Sequence, residues 1–376
     1  DYVQRGTPAV LDQYERTRMA LLAGADLVGE LPVSCACASA EAFALGSVQI
    51  LNGLGIVTDL CFGSEDGTLA PFVQLAPVLA EEPASFRETL TSLIKEGYSF
   101  PAARQKALLS CLTVLPDSAR SGFPKNWQEF LGQPNNILGL EYCKALRRTG
   151  SSIRPCTIAR AGGGYHDEQL MDSSRGFCSA SALRRAIFDG DPDLLLSGQI
   201  PAECADTLTA ALKQGNALTA DDFSPLLHMR LLQEDASSLT GYLDVSEGLA
   251  NRIQNRKAQY RSFSQFARLL KTRELTLTRI QRALLHILLG IRKTTPPSYI
   301  RILGVRKDSR WMLSRIRSHS LLPVIATPAE GLRCLSGDAL ADLRFQSYVC
   351  DLYESVRCKK NQSAFREECK RPLLVL

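Results

Sequence analysis

Between residues 8 and 24, apolar positions return every three or four residues (Val10, Leu11, Tyr14, Met19, Leu21, Leu22). This predicts a helix that Gly24 ends. Ala25 to Leu31 reads as a short strand stopped by Pro32, and residues 39–52 as a helix closed by Gly53 and Gly55. Ile56 to Phe62 reads as a second strand, running into Gly63-Ser64-Glu65-Asp66-Gly67. Strand, helix and strand in that order predict a parallel sheet with crossover helices. Residues 70–131 carry a more polar helical pattern broken near Pro83, Gly97 and Pro116. A helix then runs from the Gln133–Gly139 stretch through Leu146, a β-rich run fills Ile153 to Ala159, and another helix opens near residue 180.

Asp189-Gly190-Asp191-Pro192 breaks the pattern and marks a boundary. Beyond about residue 195, helical patterns fill 202–213, 220–234, 246–271 and 276–292. Short strands at Tyr299–Val305 and Leu321–Ala326 interrupt them, and a last helix covers 336–358. The reading is an α/β nucleotide-binding type of domain over 1–192, followed by a mostly helical domain over 193–376.

Charge sharpens this division. Residues 251–320 hold seventeen Lys and Arg against only Glu274 and Asp308, in a chain whose total net charge is +5. Solvated faces normally mix signs, so this segregation predicts a phosphate-backbone surface. Arg252, Arg256, Lys271, Arg273, Arg279, Arg282 and Lys293 are its expected nucleic-acid contacts. On the helix 276–292, Ile280, Leu284, Ile287, Leu288 and Ile291 form one apolar face, with Arg279, Arg282 and His286 on another. Tyr260, Phe263, Phe266, Tyr299 and Trp311 are interleaved; their apolar spacing makes most of them core. The region offers no free hydrophobic face for an anionic membrane, and no apolar run approaches the ~20 residues that span a bilayer.

Twelve cysteines and four histidines show no Cys-x-x-Cys or Cys/His cluster, so no metal site is expected. Cys61, Cys156 and Cys350 lie in apolar runs and read as small core residues. Free thiols fit a reducing cytoplasm, and no signal peptide is seen. Residue 1 is Asp rather than Met, which suggests a fragment or processed form of a longer chain.

The chemistry concentrates where strands end. In open α/β sheets, ligands bind beyond the carboxyl ends of strands. Gly63, the pair Asn135 and Asn136, and Arg160 with Gly162, Gly163 and Gly164 stand at such ends or at turns into a helix. Glycines admit a ligand to the backbone, an Asn amide suits a base edge or ribose hydroxyl, and Arg suits a phosphate. Ser179, Ser181 and Arg184 open a helix whose N-terminal N–H groups suit an anion. Each feature alone is also ordinary turn or capping chemistry; together they favour a nucleotide. The glycine run fits neither Gly-x-Gly-x-x-Gly nor a P-loop. His166-Asp167 is a further acid–base candidate.

Several motifs occur together, in order. They are Gln4-Arg5-Gly6-x-Pro8-Ala9-Val10, Arg16-Thr17-Arg18-Met19-Ala20-Leu21, the stretch Gly24 to Pro32, Phe62-Gly63-Ser64-Glu65 and Pro134-Asn135-Asn136-Ile137-Leu138-Gly139. Ala159-Arg160, Tyr165-His166-Asp167 and Ser179-Ala-Ser181-x-Leu183-Arg184 follow. In the basic half come Leu270-Lys271-Thr272-Arg273, Thr278-Arg279-Ile280-Gln281-Arg282 and Tyr299 to Gly304. The ordered set resembles the bacterial tRNA(Met) cytidine acetate ligase family of the nucleotidyltransferase superfamily, over nearly the whole chain and most strongly over 1–190.

The resemblance implies a Rossmann-like nucleotidyltransferase domain and ATP-dependent activation of acetate to acetyl-adenylate, with magnesium as the accompanying ion. The acetyl group would then pass to N4 of the wobble cytidine in elongator tRNA(Met). It implies that Gly63, Asn135 or Asn136, and Arg160 contact ATP, and that Ser179, Ser181 and Arg184 form a second phosphate motif. Arg160 and Arg184 would be the catalytic pair. Ser181 stands where the family more often has Thr. Family members begin with a strand and an Asn-Pro-Phe-His-x-Gly-His segment; here residue 1 falls just before Gln-Arg-Gly, so this resemblance lacks the phosphate-holding histidines and the first strand. Two alternatives stay open. Another nucleotidyltransferase with a small-molecule acceptor would lack tRNA affinity, and a non-catalytic RNA-binding protein would bind tRNA without binding ATP.

Overall fold

The computed structural model describes residues 1–65, 67–98, 100–112, 126–161, 176–191 and 198–376. The chain opens with β1 (Tyr2–Val3), β2 (Thr7–Pro8), α1 (Gln13–Leu22), β3 (Leu27–Gly29), a single turn α2 (Val33–Ala36), α3 (Ala40–Leu54) and β4 (Asp59–Ser64). Five helices follow: α4 (Ala70–Glu81), α5 (Ala84–Lys95), α6 (Phe100–Leu112), α7 (Trp127–Gly132) and α8 (Pro134–Arg148). Then come β5 (Arg154–Ala159) and α9 (Ala180–Asp189). The remainder holds α10 (Ala202–Lys213), α11 (Ser224–Gln233), α12 (Ala236–Leu239), α13 (Glu247–Arg256), α14 (Phe263–Leu270), α15 (Leu277–Leu289), β6 (Ile300–Val305), α16 (Trp311–His319), β7 (Val324–Ile325), α17 (Pro328–Cys334), α18 (Gly337–Asn361) and β8 (Leu374–Val375).

The α/β class holds, but the strands pair differently from the simple succession. β4 pairs in parallel with β5, in register from Asp59 opposite Arg154 to Ser64 opposite Ala159. β3 does not join them. It runs antiparallel to β6, Leu27 opposite Val305, and β6 also takes β7 and β8 in parallel. Strand periodicity says which residues alternate but not which distant strand accepts their hydrogen bonds, so this pairing of residues far apart in sequence was not anticipated.

Local boundaries follow capping. Ser39 caps α3 through Ala42 N, and Gly55 ends it at φ +70°. The expected helix over 246–271 is two helices, because a 3₁₀ turn at Lys257–Gln259 stops the first and the Ser262 hydroxyl caps the second. The strand expected at Leu321–Ala326 shrinks to Val324–Ile325, and the last helix extends to Asn361.

The largest core joins Leu227, Leu231, Phe263, Phe266, Leu284 and Tyr353, and it takes in Tyr2, Val33 and Cys37 from the chain's beginning. A second core, with Phe62, Phe72, Leu75 and Phe130, lies under the α4–α8 helices and β4. All twelve cysteines are free. Cys350 is buried as expected, but Cys61 is exposed and Cys156 half-buried, because both point to the less covered face of the β4–β5 pair. No helix among the described residues is long and apolar enough to cross a membrane.

Candidate active site and nucleic-acid interface

The parallel pair β4–β5 ends at Ser64 and Ala159, and the candidate residues gather there. The Arg160 N–H donates to Ser64 O (2.8 Å), which extends the ladder one residue past the strand. The stem of Arg160 passes beside Gly63; a Cβ there would lie 3.9 Å from its Cγ, an ordinary van der Waals contact. The Arg160 side chain is exposed and makes no ion pair with the described residues. Ser64 is fully buried, and its hydroxyl accepts from Gly67 N (2.8 Å), curling the loop tightly against Ala159.

Asn135 and Asn136 begin α8 beside this loop and do different work. Asn136 is 1% exposed; its Oδ1 accepts from Glu65 N (3.3 Å) and its Nδ2 donates to Phe130 O (3.2 Å). Asn135 is half-buried, and its Nδ2 donates to Glu65 Oε1 (3.1 Å). Glu65 is therefore held by both asparagines. Its second carboxylate oxygen is buried without a hydrogen-bond partner among the described residues. Sequence reasoning included Glu65 in the strand-end motif Phe62-Gly63-Ser64-Glu65 but gave it no role of its own; a carboxylate directly after a strand end was the available signal.

A second cluster forms where α9 begins. Ser179 is 3% exposed and caps the helix by accepting from Ala182 N (3.1 Å). Arg184 donates to Ser181 Oγ (3.5 Å), one turn apart. Arg5 lies within electrostatic reach of Arg184. Burial lowers the Arg5 pKa, and the positive charge of Arg184 adds to that. Arg5 is thus a member of this cluster that the strand-end argument missed. The link between the two clusters, with Gly162 to Gly164, Tyr165, His166 and Asp167, lies outside the described residues.

Gly6, next to Arg5, has φ +78°, and a Cβ on it would overlap the backbone of Gln281 and Arg282 in α15. Two motifs some 275 residues apart, Gln4-Arg5-Gly6 and Thr278 to Arg282, are therefore pressed together. This contact joins the phosphate-type cluster to the basic half.

The basic half divides into internal and free cations. Arg252 donates to the carbonyls of Leu270 (2.8 Å) and Leu269 (3.3 Å), tying α13 to the end of α14. Arg282 pairs with Asp244 (3.0 Å) in a largely buried position. Arg256 donates to Gln259 (3.3 Å). Lys271, Arg273 and Lys293 are exposed, Arg279 is half-buried, and none of these four makes an ion pair among the described residues.

Two expectations need correction. His286 is not on the basic face; it is fully buried, with Nδ1 3.0 Å from Leu243 O and Nε2 3.1 Å from Cys37 O, and burial lowers its pKa. Arg301, counted with the surface cations, is 2% exposed. It donates to Glu368 Oε1 (2.6 Å) and Tyr14 OH (2.7 Å) and lies 3.5 Å from Glu30. Desolvation opposes its charge, but Glu30, Tyr14 and Glu368 together raise its pKa. A cavity of about 520 Å³ beside β3, lined by Gln13, Arg16, Glu30 and Gln346 among others, contains none of the expected ATP residues. No cluster of three or more metal-type ligands occurs among the described residues.

The family described as HIGH Nucleotidyl Transferase matches residues 1–367. A tRNA(Met) cytidine acetate ligase of Acetivibrio thermocellus is 36% identical over 379 aligned residues, covering 98% of this chain and 88% of the relative. One from a Thermoanaerobacter species is 35% identical, with 100% and 90% covered. Among solved structures, apo TmcAL of Thermotoga maritima superposes with a TM-score of 0.89 at 28% identity, covering all of this chain and 90% of that one. The same protein bound with alpha-thio ATP superposes with a TM-score of 0.86 at 28% identity, with the same coverage. With its strand-end site, its basic half and relatives matched along nearly its full length, the chain belongs to the tRNA(Met) cytidine acetate ligase family of the nucleotidyl transferases.

Proposed function

We propose that the chain uses ATP to activate acetate as acetyl-adenylate and transfers the acetyl group to N4 of the wobble cytidine of elongator tRNA(Met). The observation that carries this is the convergence of Gly63, Asn135, Asn136 and the exposed Arg160 at the carboxyl end of the parallel β4–β5 pair. Residues 1–192 supply the ATP half and residues 193–376 the tRNA half, in a cytoplasmic enzyme.

Gly63 lets the nucleotide lie against backbone, and the Asn135 amide reaches a base edge or ribose hydroxyl. Asn136 acts one step back by fixing the loop. Arg160 and Arg184 neutralise charge on the phosphates, with Ser181 and the α9 N-terminus beside them; Ser179 holds that terminus in shape. An acetate oxygen attacks the α-phosphorus, the new C–O–P bond forms, and the bond to the β-phosphate breaks to release pyrophosphate. The cytidine amine then attacks the acyl carbon, loses a proton, and AMP leaves. Both steps depend on positioning and charge neutralisation. Magnesium, carried by the ATP phosphates, would supply further charge neutralisation. Glu65, whose second carboxylate oxygen has no hydrogen-bond partner among the described residues, would help to hold the ion.

The test is pyrophosphate release with and without acetate. Release that requires acetate and is lost in Arg160→Ala supports the reading. Equal release without acetate refutes it.

A further inference from the structure

Five aromatic residues are interleaved with the cations of the basic half, and the structure separates them. Phe263 and Phe266 are fully buried and Tyr299 is 4% exposed. Tyr260 stacks on His228 (4.7 Å between centroids), and its hydroxyl donates to Ser224 O (2.8 Å). Trp311 alone of the five stands out in solvent, 60% exposed, at the first position of α16.

The surroundings of Trp311 are built rather than frayed. Ile316 is 1% exposed, and with Met312 and Leu313 it packs against Ile50, Leu54 and Ile300, so the apolar side of α16 is spent on the core. Ser309, just before the helix, donates to Asp26 (2.6 Å) and pins its start. The opposite side carries Trp311 and Arg315, one turn apart, and Lys307 lies in the 3₁₀ turn (Lys307–Ser309) that leads into the helix. Arg310 adjoins Trp311. Lys307, Arg310 and Arg315 are exposed and make no ion pair among the described residues. Asp308 is the only acidic residue between Arg306 and Ala329.

We infer that the outer face of α16 is an RNA contact in which Trp311 stacks on an unpaired tRNA base while Lys307, Arg310 and Arg315 bind the flanking phosphates. An exposed indole costs hydration unless a flat partner covers it, and a base between phosphates is the partner whose charge complements three free cations. A lipid surface fits less well, because a membrane helix needs an apolar side to insert and that side of α16 is occupied. The inference rests on the tRNA reading above and adds a residue and a mode of contact to it.

The protein has two tryptophans, Trp127 and Trp311, so Trp127→Phe isolates the signal of interest. This variant is titrated with elongator tRNA(Met), with a fully paired RNA duplex, and with phosphatidylserine vesicles. Trp311 fluorescence should change with tRNA and not with the duplex. Trp311→Ala should weaken tRNA binding roughly 5- to 140-fold, the loss of one stacked base, whereas Trp311→Phe should retain most of it. Arg315→Ala should make the salt dependence shallower by about one phosphate contact. Wild-type affinity in Trp311→Ala, or a response to vesicles in place of tRNA, overturns the inference. Failure of the wild-type protein to bind tRNA at all overturns the underlying reading as well, so the two failures are told apart.

Discussion

Replacing Arg301 with Met tests whether a residue from the basic half is a buried cross-link. Met keeps much of the volume and removes the charge. Glu30 and Glu368, 7% and 4% exposed, would then lose the cation between them. Breaking a buried pair from one side costs about 3–5 kcal/mol. Gln13 and Tyr14 would still donate to Glu368 (2.8 Å each), and bonds to a charged acceptor are worth about 1.5–3 kcal/mol. The expected loss is therefore nearer ~3 kcal/mol. With an unfolding entropy of about 2.1 cal/mol/K per residue, a chain of 376 residues should lose about 4 °C in Tm. The loss should also depend on pH. Burial already raises the Glu368 pKa against the pull of Arg301. Without Arg301 it rises further, and a carboxyl with a raised folded pKa contributes stability below its unfolded value that is lost as pH rises. The deficit should therefore be small near pH 4.5 and widen toward neutrality. Thermal unfolding of both proteins across that range checks it. A Tm change below 1 °C, a deficit that does not vary with pH, or a shallower salt dependence of tRNA binding would refute the buried role.

The two asparagines should separate. Asn136→Ala strands Phe130 O and Glu65 N and should cost about 1–3 kcal/mol in urea unfolding, whereas Asn135→Ala should leave stability nearly unchanged and weaken ATP binding by calorimetry. The basic residues should separate too. Arg273→Ala should lower the salt slope of tRNA binding by about one contact, while Arg252→Ala should lower Tm by freeing two carbonyls at the end of α14. Gly6→Ala should cost at least ~2 kcal/mol in thermal unfolding, since it forces a left-handed φ on Ala and drives a methyl into the α15 backbone.

What could be read from sequence was local. Short β-rich runs bounded by turn residues located β4 and β5, and capping residues such as Ser179 and Gly55 located helix ends, because both signals act over a few residues. The strand-end chemistry of Gly63 and Arg160 followed from the same logic. What could not be read was long-range. Nothing in Leu27–Gly29 names β6 as its partner, and Arg301 and Arg315 look alike until burial separates them. Trp311 and Phe263 likewise share a spacing pattern, and only the side of the helix that meets the core distinguishes them. Arg5 joined a phosphate-type cluster through a turn packed on a distant helix, a relation that carries no periodic signature.

The antiparallel pairing of β3 with β6 has a consequence for how the chain is made. Residues 27–29 cannot form their hydrogen bonds until residues 300–305 exist, and Tyr2 cannot be covered by Phe223 and Tyr353 until later still. During synthesis at ~5–20 residues per second, the beginning of the chain waits about 15–60 s for its partners. Closing so long a loop before any reward also makes folding slow. The short β3, with only three residues, keeps the waiting edge small and gives stray strands little to pair with.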